Sequence, residues 1–264
     1  MAEGDTLHRT AAGLRPHLVG RAVTAARARP GGPQVQRIVG ATVTSVEAVG
    51  KNLLVRFDND LALRTHLRMH GSWHRYRPGE RWRRPAARAR LVLEVPGAVA
   101  VCFDAPVVEL FDARAEAIHP ALSTLGPDLL ADGFGPDGAD EVRRRLRDPS
   151  RAGATISTAL LDQRAMAGVG NIWRNETLYE ERTHPWARVR DLDDETLDRL
   201  IATAQRFLRA SADRMPGRAP KRVYGRAGRP CPRCGTLIEA MEPRDGVARI
   251  TYWCPTCQGP RTSG

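Results

Sequence analysis

Lysine is nearly missing from this chain. Of 41 cationic residues among 264, only Lys51 and Lys221 are lysine. Arginine keeps its proton at neutral pH, so side-chain amines able to serve as a base or nucleophile are confined to those two positions. Long apolar runs are missing too. The longest, such as Leu91-Val92-Leu93, fall far short of the roughly 20 residues a membrane helix needs. No basic-then-apolar signal region opens the chain, so it is expected to work in the cytoplasm without a membrane partner. Cysteine is limited to five residues, four of them near the end. Internal repeats and long low-complexity runs are absent.

What is present suits a globular protein. Hydrophobic residues make up 42%, enough for a real core, and the length suits one large domain or two smaller ones. The net charge is +11, and it is unevenly spread. Residues 64–90 hold nine arginines against Glu80 alone, and residues 215–264 hold eight arginines and Lys221 against three acids. Two basic clusters point to a polyanion, most simply nucleic acid; the alternative is a generally basic surface.

The periodicity changes partway along. Asp5 or Thr6 can cap a helix reaching Leu18, with Leu7, Ala11, Leu14 and Leu18 on one face. Strands are expected at residues 41–48, 53–58, 61–66, 90–95 and 99–103, paired as hairpins by Asp58-Asn59-Asp60 and Pro96-Gly97. A linker rich in Gly, Pro and Asp follows at residues 123–138. Helices are expected at 139–147, 155–166, 172–181 and 194–212, the last capped by Asp193 and buried through Leu197, Leu200, Ile201, Ala204 and Leu208. Residues 215–219 should break it.

The strongest local signal is Cys231-Pro-Arg-Cys234 and, after a spacer of nineteen residues, Cys254-Pro-Thr-Cys257. Four thiolates so spaced predict one closed, structural Zn2+; the alternative is two disulfides. Cys102, in an apolar strand, is expected to be inert core. Arg249, in the β-forming run up to Trp253, either enters a DNA groove on a rigid ribbon or is solvated. Lys221, Tyr224 and Arg226 surround a Gly turn suited to phosphate. The Gly168-Val-Gly170 turn before Asn171 either exposes helix amides to a phosphate or merely connects two helices. Met69, between Arg68 and His70, either wedges into a base stack or fills core. Lys51 follows Gly50 at the start of an apolar strand, where a lysine is usually an exposed end. Finally, Ala2 is small, so Met1 is expected to be removed, leaving a free α-amine beside Glu3.

In order along the chain, these pieces resemble the formamidopyrimidine-DNA glycosylase/endonuclease VIII family. The resemblance is carried by Glu3-Gly4, Val49-Gly-Lys51, His66-Leu-Arg-Met-His-Gly71, Leu161-Asp-Gln163, Gly168-Val-Gly-Asn-Ile172, Val223-Tyr-Gly-Arg226, and Arg249-Ile-Thr-Tyr-Trp with the cysteines that follow. Gly4 and the end of the Met69 loop lie nearer the endonuclease VIII branch. The resemblance implies an α+β chain: an N-terminal helix and antiparallel β-sandwich (residues 1–122), a linker (123–137), a helix–two-turn–helix domain (138–215) and a zinc-finger hairpin (222–262). It implies a monomeric base-excision-repair enzyme that binds double-stranded DNA bearing a damaged base or abasic site. Such an enzyme removes oxidised bases, pyrimidines foremost, and cleaves the strand by elimination. It assigns catalysis to the Ala2 amine, Glu3, Lys51 and Arg249. It assigns DNA contact to Arg68, Met69, His70, Asn171, Lys221, Tyr224, Arg226 and Arg249.

Two departures stand out. The family usually has Pro where this chain has Ala2, and often Pro-Glu where it has Asp5-Thr6. A primary amine gives an imine that must stay protonated to act as an electron sink, whereas a secondary amine gives a permanently charged iminium. The first rival is therefore a lesion-binding protein of the same fold with impaired catalysis. The second, a zinc-ribbon transcription factor, leaves Glu3 and the first domain unexplained.

Overall fold

The structure is a computed structural model describing residues 2–213, 221–242 and 249–259. Two units divide the chain, Met1–Thr124 and Leu125–Gly264. In the first, α1 (Gly4–Leu18) buries Leu7, Ala11, Leu14 and Leu18, the expected face. The helix starts earlier than its sequence suggests. Glu3 occupies the N-cap position, its carbonyl accepts from the Thr6 and Leu7 amides, and no side chain caps it. Asp5 lies inside the first turn and pairs with Arg9 at 3.0 Å, a place where a carboxylate complements the helix dipole.

Eight strands follow: β1 (Ala25–Ala28), β2 (Val43–Val49), β3 (Asn52–Phe57), β4 (Leu61–His66), β5 (Ser72–Tyr76), β6 (Ala89–Val95), β7 (Ala98–Phe103) and β8 (Val107–Asp112). They form two antiparallel four-stranded sheets, ordered β1-β6-β7-β5 and β2-β3-β4-β8. Leu53, Val55 and Leu63 of one sheet share a core with Leu91, Leu93, Ala100 and Cys102 of the other and with the α1 leucines. Each of these leucines and valines contributes about 1.5–3 kcal/mol on burial. Burial also pushes the Cys102 thiol well above its ordinary pKa, in keeping with an inert core residue. Strand β7 is buried on both faces, because Trp82 and Tyr76 cover Val99, Val101 and Phe103 on the outer side.

β1, β5 and β8 are strands the sequence pattern does not reveal. β1 is Ala25-Ala-Arg-Ala28, β5 lies in the arginine-rich stretch, and β8 shows no alternation of burial. Distant partners make them strands: β8 pairs with β4 from Leu61↔Asp112 to His66↔Val107.

The second unit contains α2 (Pro136–Leu146), α3 (Ile156–Ala159), α4 (Asn171–Glu180), α5 (Asp194–Ala212), a short β9–β10 hairpin (Glu239–Met241 and Thr251–Trp253) and α6 (Pro255–Gln258). The α5 face and its Asp193 cap, accepting from the Thr196 amide at 2.8 Å, follow the sequence. Two expectations need correction. α2 begins inside the expected linker, with Pro136 at its first position, a favoured place for proline. The helix expected over 155–166 stops at Ala159. Beyond it the Asp162 carboxylate accepts from the Arg164 amide at 3.0 Å, a local bond that competes with helix continuation. Residues 215–219, expected to end the α5 helix, lie outside the described residues, as do parts of the expected finger at 243–248 and 260–262.

Candidate active site and metal centre

The backbone nitrogen of Ala2 donates to the Arg68 carbonyl at 3.1 Å. The chain start is thus fastened to the loop joining β4 to β5. Glu3 beside it is only 1% exposed. The loop is tightly specified. Leu67 is buried in the core, and Arg68 takes a left-handed φ of 47°, uncommon for a residue with a side chain. The Arg68 amide donates to Nδ1 of His66 at 3.2 Å, and the Gly71 amide donates to the Leu67 carbonyl at 2.9 Å. A Cβ at Gly71 would lie 2.5 Å from that carbonyl oxygen, so only glycine closes the turn. Met69, at its tip, is 50% exposed; it does not fill core. Arg84, which the sequence did not single out, donates to the His70 carbonyl at 3.4 Å and to Asp104 at 2.7 Å.

Lys51 lies in the two-residue turn between β2 and β3, directly before β3, which begins one residue ahead of the expected strand. Gly50 supplies the positive φ of 57°, the pattern of a type II′ hairpin turn. His66 pairs with Asn52 across β3 and β4. Burial, reinforced by the charges of Arg64, Lys51 and Arg68, lowers the His66 pKa to about 4. At neutral pH the ring is therefore uncharged and its Nδ1 is free to accept the Arg68 amide. Ala2, Glu3, Arg68, Met69 and His70 form one neighbourhood, with Lys51 close enough to bias His66.

In the second unit the Gly168–Gly170 turn is held by Gln163. Its Nε2 donates to the Leu161 and Val169 carbonyls at 2.8 and 3.1 Å, and its Oε1 accepts from the Gly168 amide at 3.1 Å. Asn171 opens α4, but its side chain is turned to a neighbour: it is 4% exposed and donates to the Ile250 carbonyl at 3.1 Å. Arg174 donates to the same carbonyl at 2.9 Å, and Asn175 accepts from the Tyr252 amide at 2.8 Å. Three residues of one helix thus clamp the strand that follows exposed Arg249. The next residue along the helix, Glu176, accepts through its carboxylate from the amides of Arg222, Val223 and Tyr224 at 2.9, 3.1 and 2.9 Å. Burial raises its pKa and these three donors oppose the rise. Lys221 Nζ lies 5.2 Å above the Tyr224 ring, which meets Tyr252 edge-on at 5.3 Å. Arg226 donates to the Pro230 carbonyl at 3.3 Å. Sequence reasoning missed Arg174, Asn175 and Glu176; their only signal is an excess of polar side chains in a helix that turns out to be buried.

The sulfur atoms of Cys231, Cys234, Cys254 and Cys257 all lie within 4.8 Å of one another. Three of the separations are 3.4, 3.6 and 3.8 Å. Tetrahedral thiolates about 2.3 Å from a metal are about 3.8 Å apart, so the cluster has the size of a four-coordinate site. Backbone amides of Arg233 and Cys257 point at the sulfurs of Cys231 and Cys254, each at 3.4 Å, as suits thiolate ligands. Arg233 also ties the first knuckle to α4, donating to the Tyr179 carbonyl at 2.7 Å and to Glu180 at 2.6 Å. Gln258 locks the second, accepting from the Cys254 amide and donating to the Thr183 carbonyl.

Comparison with known proteins bears on both neighbourhoods. The profile of the formamidopyrimidine-DNA glycosylase N-terminal domain matches residues 1–114, and that of the formamidopyrimidine-DNA glycosylase H2TH domain matches residues 125–217. The probable endonuclease 8 2 of Streptomyces coelicolor is 38% identical over 276 residues, covering 100% of this chain and 97% of that protein. The DNA-(apurinic or apyrimidinic site) lyase Nei2 of Mycolicibacterium smegmatis is 37% identical, covering 98% and 99%. The endonuclease 8 of Escherichia coli is 30% identical, covering 98% and 100%. Among solved structures, the Lactococcus lactis Fpg in complex with abasic-site DNA superposes with a TM-score of 0.82, covering 97% of this chain and 99% of that one. Its 21% identity speaks to the fold.

The His66 environment makes a pH prediction. Its folded pKa of about 4 lies below the ordinary value of 6.5, so between those values the unfolded chain takes up a proton that the folded chain refuses. Stability should fall as pH drops through that window. His66→Gln should show a shallower loss between pH 6.5 and pH 4 in urea titrations. Equal slopes in the two proteins would contradict the buried, neutral ring.

Proposed function

The chain belongs to the formamidopyrimidine-DNA glycosylase family, and from that membership we propose that it is a base-excision-repair DNA glycosylase and DNA-(apurinic or apyrimidinic site) lyase. The observation that carries this reading is the chain start itself. The Ala2 nitrogen is held by the Arg68 carbonyl, next to buried Glu3 and beneath a loop that exposes Met69. Once Met1 is removed, that nitrogen is an α-amine with an ordinary pKa of about 8, neutral often enough at pH 7 to attack.

The chemistry follows from these groups. The neutral amine attacks C1′ of the damaged nucleotide, the C1′–base bond breaks, and its electron pair leaves with the base. Glu3 takes the proton the nitrogen sheds and returns one to the sugar oxygen as the ring opens. The result is a protonated imine between Ala2 and C1′. Glu3, a free carboxylate again, takes a proton from C2′; the electron pair left there is drawn toward the imine, the C3′–O bond breaks, and the 3′ phosphate departs with that bond's electrons. Because Ala2 gives a primary amine, the imine needs its proton to be an electron sink, and the adjacent Glu3 carboxylate favours the charged form. Met69, with Arg68 and His70, is proposed to fill the space left by the everted base. Lys51 is proposed to contact a DNA phosphate, as are Lys221, Tyr224, Arg226 and the Asn171 end of α4. Arg249 is proposed to reach the DNA from the finger. Oxidised pyrimidines are the proposed lesion class, in line with the endonuclease VIII character of Gly4 and the Met69 loop.

The four cysteines fit Zn2+ by donor type and spacing. A closed four-thiolate site leaves no open coordination position, so bound zinc would hold the finger together.

A panel of duplexes tests the reading, each bearing one oxidised pyrimidine, one oxidised purine or one abasic site. The expected result is excision of the pyrimidine, cleavage at the abasic site, and loss of excision in Glu3→Gln. Tight binding to all three without excision or cleavage would instead support the lesion-binding alternative. For the finger, Cys254→Ser should release about one zinc per chain and abolish duplex binding while the β-sandwich keeps its thermal transition. Unchanged affinity after metal loss would remove the finger from the DNA interface.

A further inference from the structure

The two-residue Gly50–Lys51 turn sets where the lysine side chain begins, and how firmly it is anchored depends on what holds its two ends. Asn52 is 3% exposed although it is the first residue of β3. Its Nδ2 donates back across the turn to the Val49 carbonyl at 3.1 Å, and its Oδ1 accepts from Arg64 Nε at 2.9 Å. Arg64, on β4, is 6% exposed and donates to Oε2 of Glu109 on β8 at 2.5 Å. That carboxylate in turn lies 3.4 Å from Nε2 of His119. Register makes the alignment necessary: Arg64 sits directly opposite Leu54 on one side and Glu109 on the other. One line of bonds therefore runs across three strands and ends on the carbonyl where the turn begins.

A buried guanidinium is a poor way to gain stability. Well-packed apolar residues in its place are often neutral or better. What a buried, fork-shaped donor provides is fixed geometry, because it holds two acceptors in set directions at once. We infer that Asn52 and Arg64 are positioning residues for Lys51, locking the Gly50–Lys51 turn so that the ammonium meets a DNA phosphate at one defined place. The inference rests on the proposed phosphate contact of Lys51. Asn52 and Arg64 are too buried to meet DNA themselves, so any effect they have on binding passes through the residues they hold, and Asn52 bonds directly to the carbonyl at which the turn begins.

The test is affinity for a duplex carrying a reduced, uncleavable abasic site, measured across a range of salt concentrations with the full chain. Loss of one phosphate contact lowers the slope of log affinity against log salt by about 0.9. Lys51→Ala should show that loss together with affinity about tenfold weaker. Asn52→Ala should show the same slope loss, and the double variant should be no weaker than Lys51→Ala alone. Arg64→Lys keeps the charge but cannot fork between Asn52 and Glu109; it serves if Asn52→Ala unfolds, and it should also lose slope. If Lys51→Ala loses slope while folded Asn52→Ala and Arg64→Lys keep it, the positioning role is wrong and the Lys51 contact stands. If Lys51→Ala itself keeps the slope, the phosphate contact fails and the positioning role fails with it.

Discussion

The hydrogen bond from the Ala2 nitrogen to the Arg68 carbonyl is the constraint around which the first unit is arranged. A chain start is ordinarily frayed, and a frayed amine cannot be aimed. Here Glu3 is buried at the head of α1, whose leucines are part of the sandwich core, so the first residues are fixed from below. From above they are fixed by a loop with almost no freedom of its own. Arg68 is left-handed, its amide is taken by His66, and Gly71 closes the turn where no side chain fits. The loop that presents Met69 and the nitrogen proposed as nucleophile are therefore joined by a direct bond. A base-stack wedge and an attacking group coupled in this way would engage DNA together.

The second unit solves a different problem. A finger of this size has little core of its own, and α4 supplies a template. Asn171, Arg174, Asn175 and Glu176 are all buried, and each bonds to backbone of the finger or of the segment leading into it. Unpaired, such groups would cost several kcal/mol together. Paired to backbone, they hold the start of β10 and the segment at 222–224 against α4. That fixes where the chain emerges at Arg249. Tyr179 and Arg233 extend the same helix contact to the first cysteine knuckle.

What the sequence reveals follows how local the cause is. The α1 and α5 faces, the Asp193 cap and the meeting of the two CxxC pairs depend on spacing within one element or one motif, and the structure has them where the spacing puts them. Helix 155–166 fails because one carboxylate, Asp162, prefers its own local bond. β1 and β8 are invisible because pairing with distant strands makes them. The site shows the same division. Glu3, Lys51 and Arg68-Met-His70 stand out as residue types in a motif. Of the groups packed around them, Arg64 and Arg84 act through bonds to chain far away, to Glu109 and to Asp104, and leave no periodic trace.

The central claim is that the chain start is the nucleophile. Borohydride reduction of the enzyme with an abasic-site duplex would freeze any imine as a stable amine link, and peptide mapping would locate it. The chain has few candidate amines: the mature terminus, Lys51 and Lys221. The terminal amine is the least basic of them and the one beside Glu3. The account predicts an adduct on Ala2, with Lys51 and Lys221 unmodified. An adduct on Lys51 would contradict it.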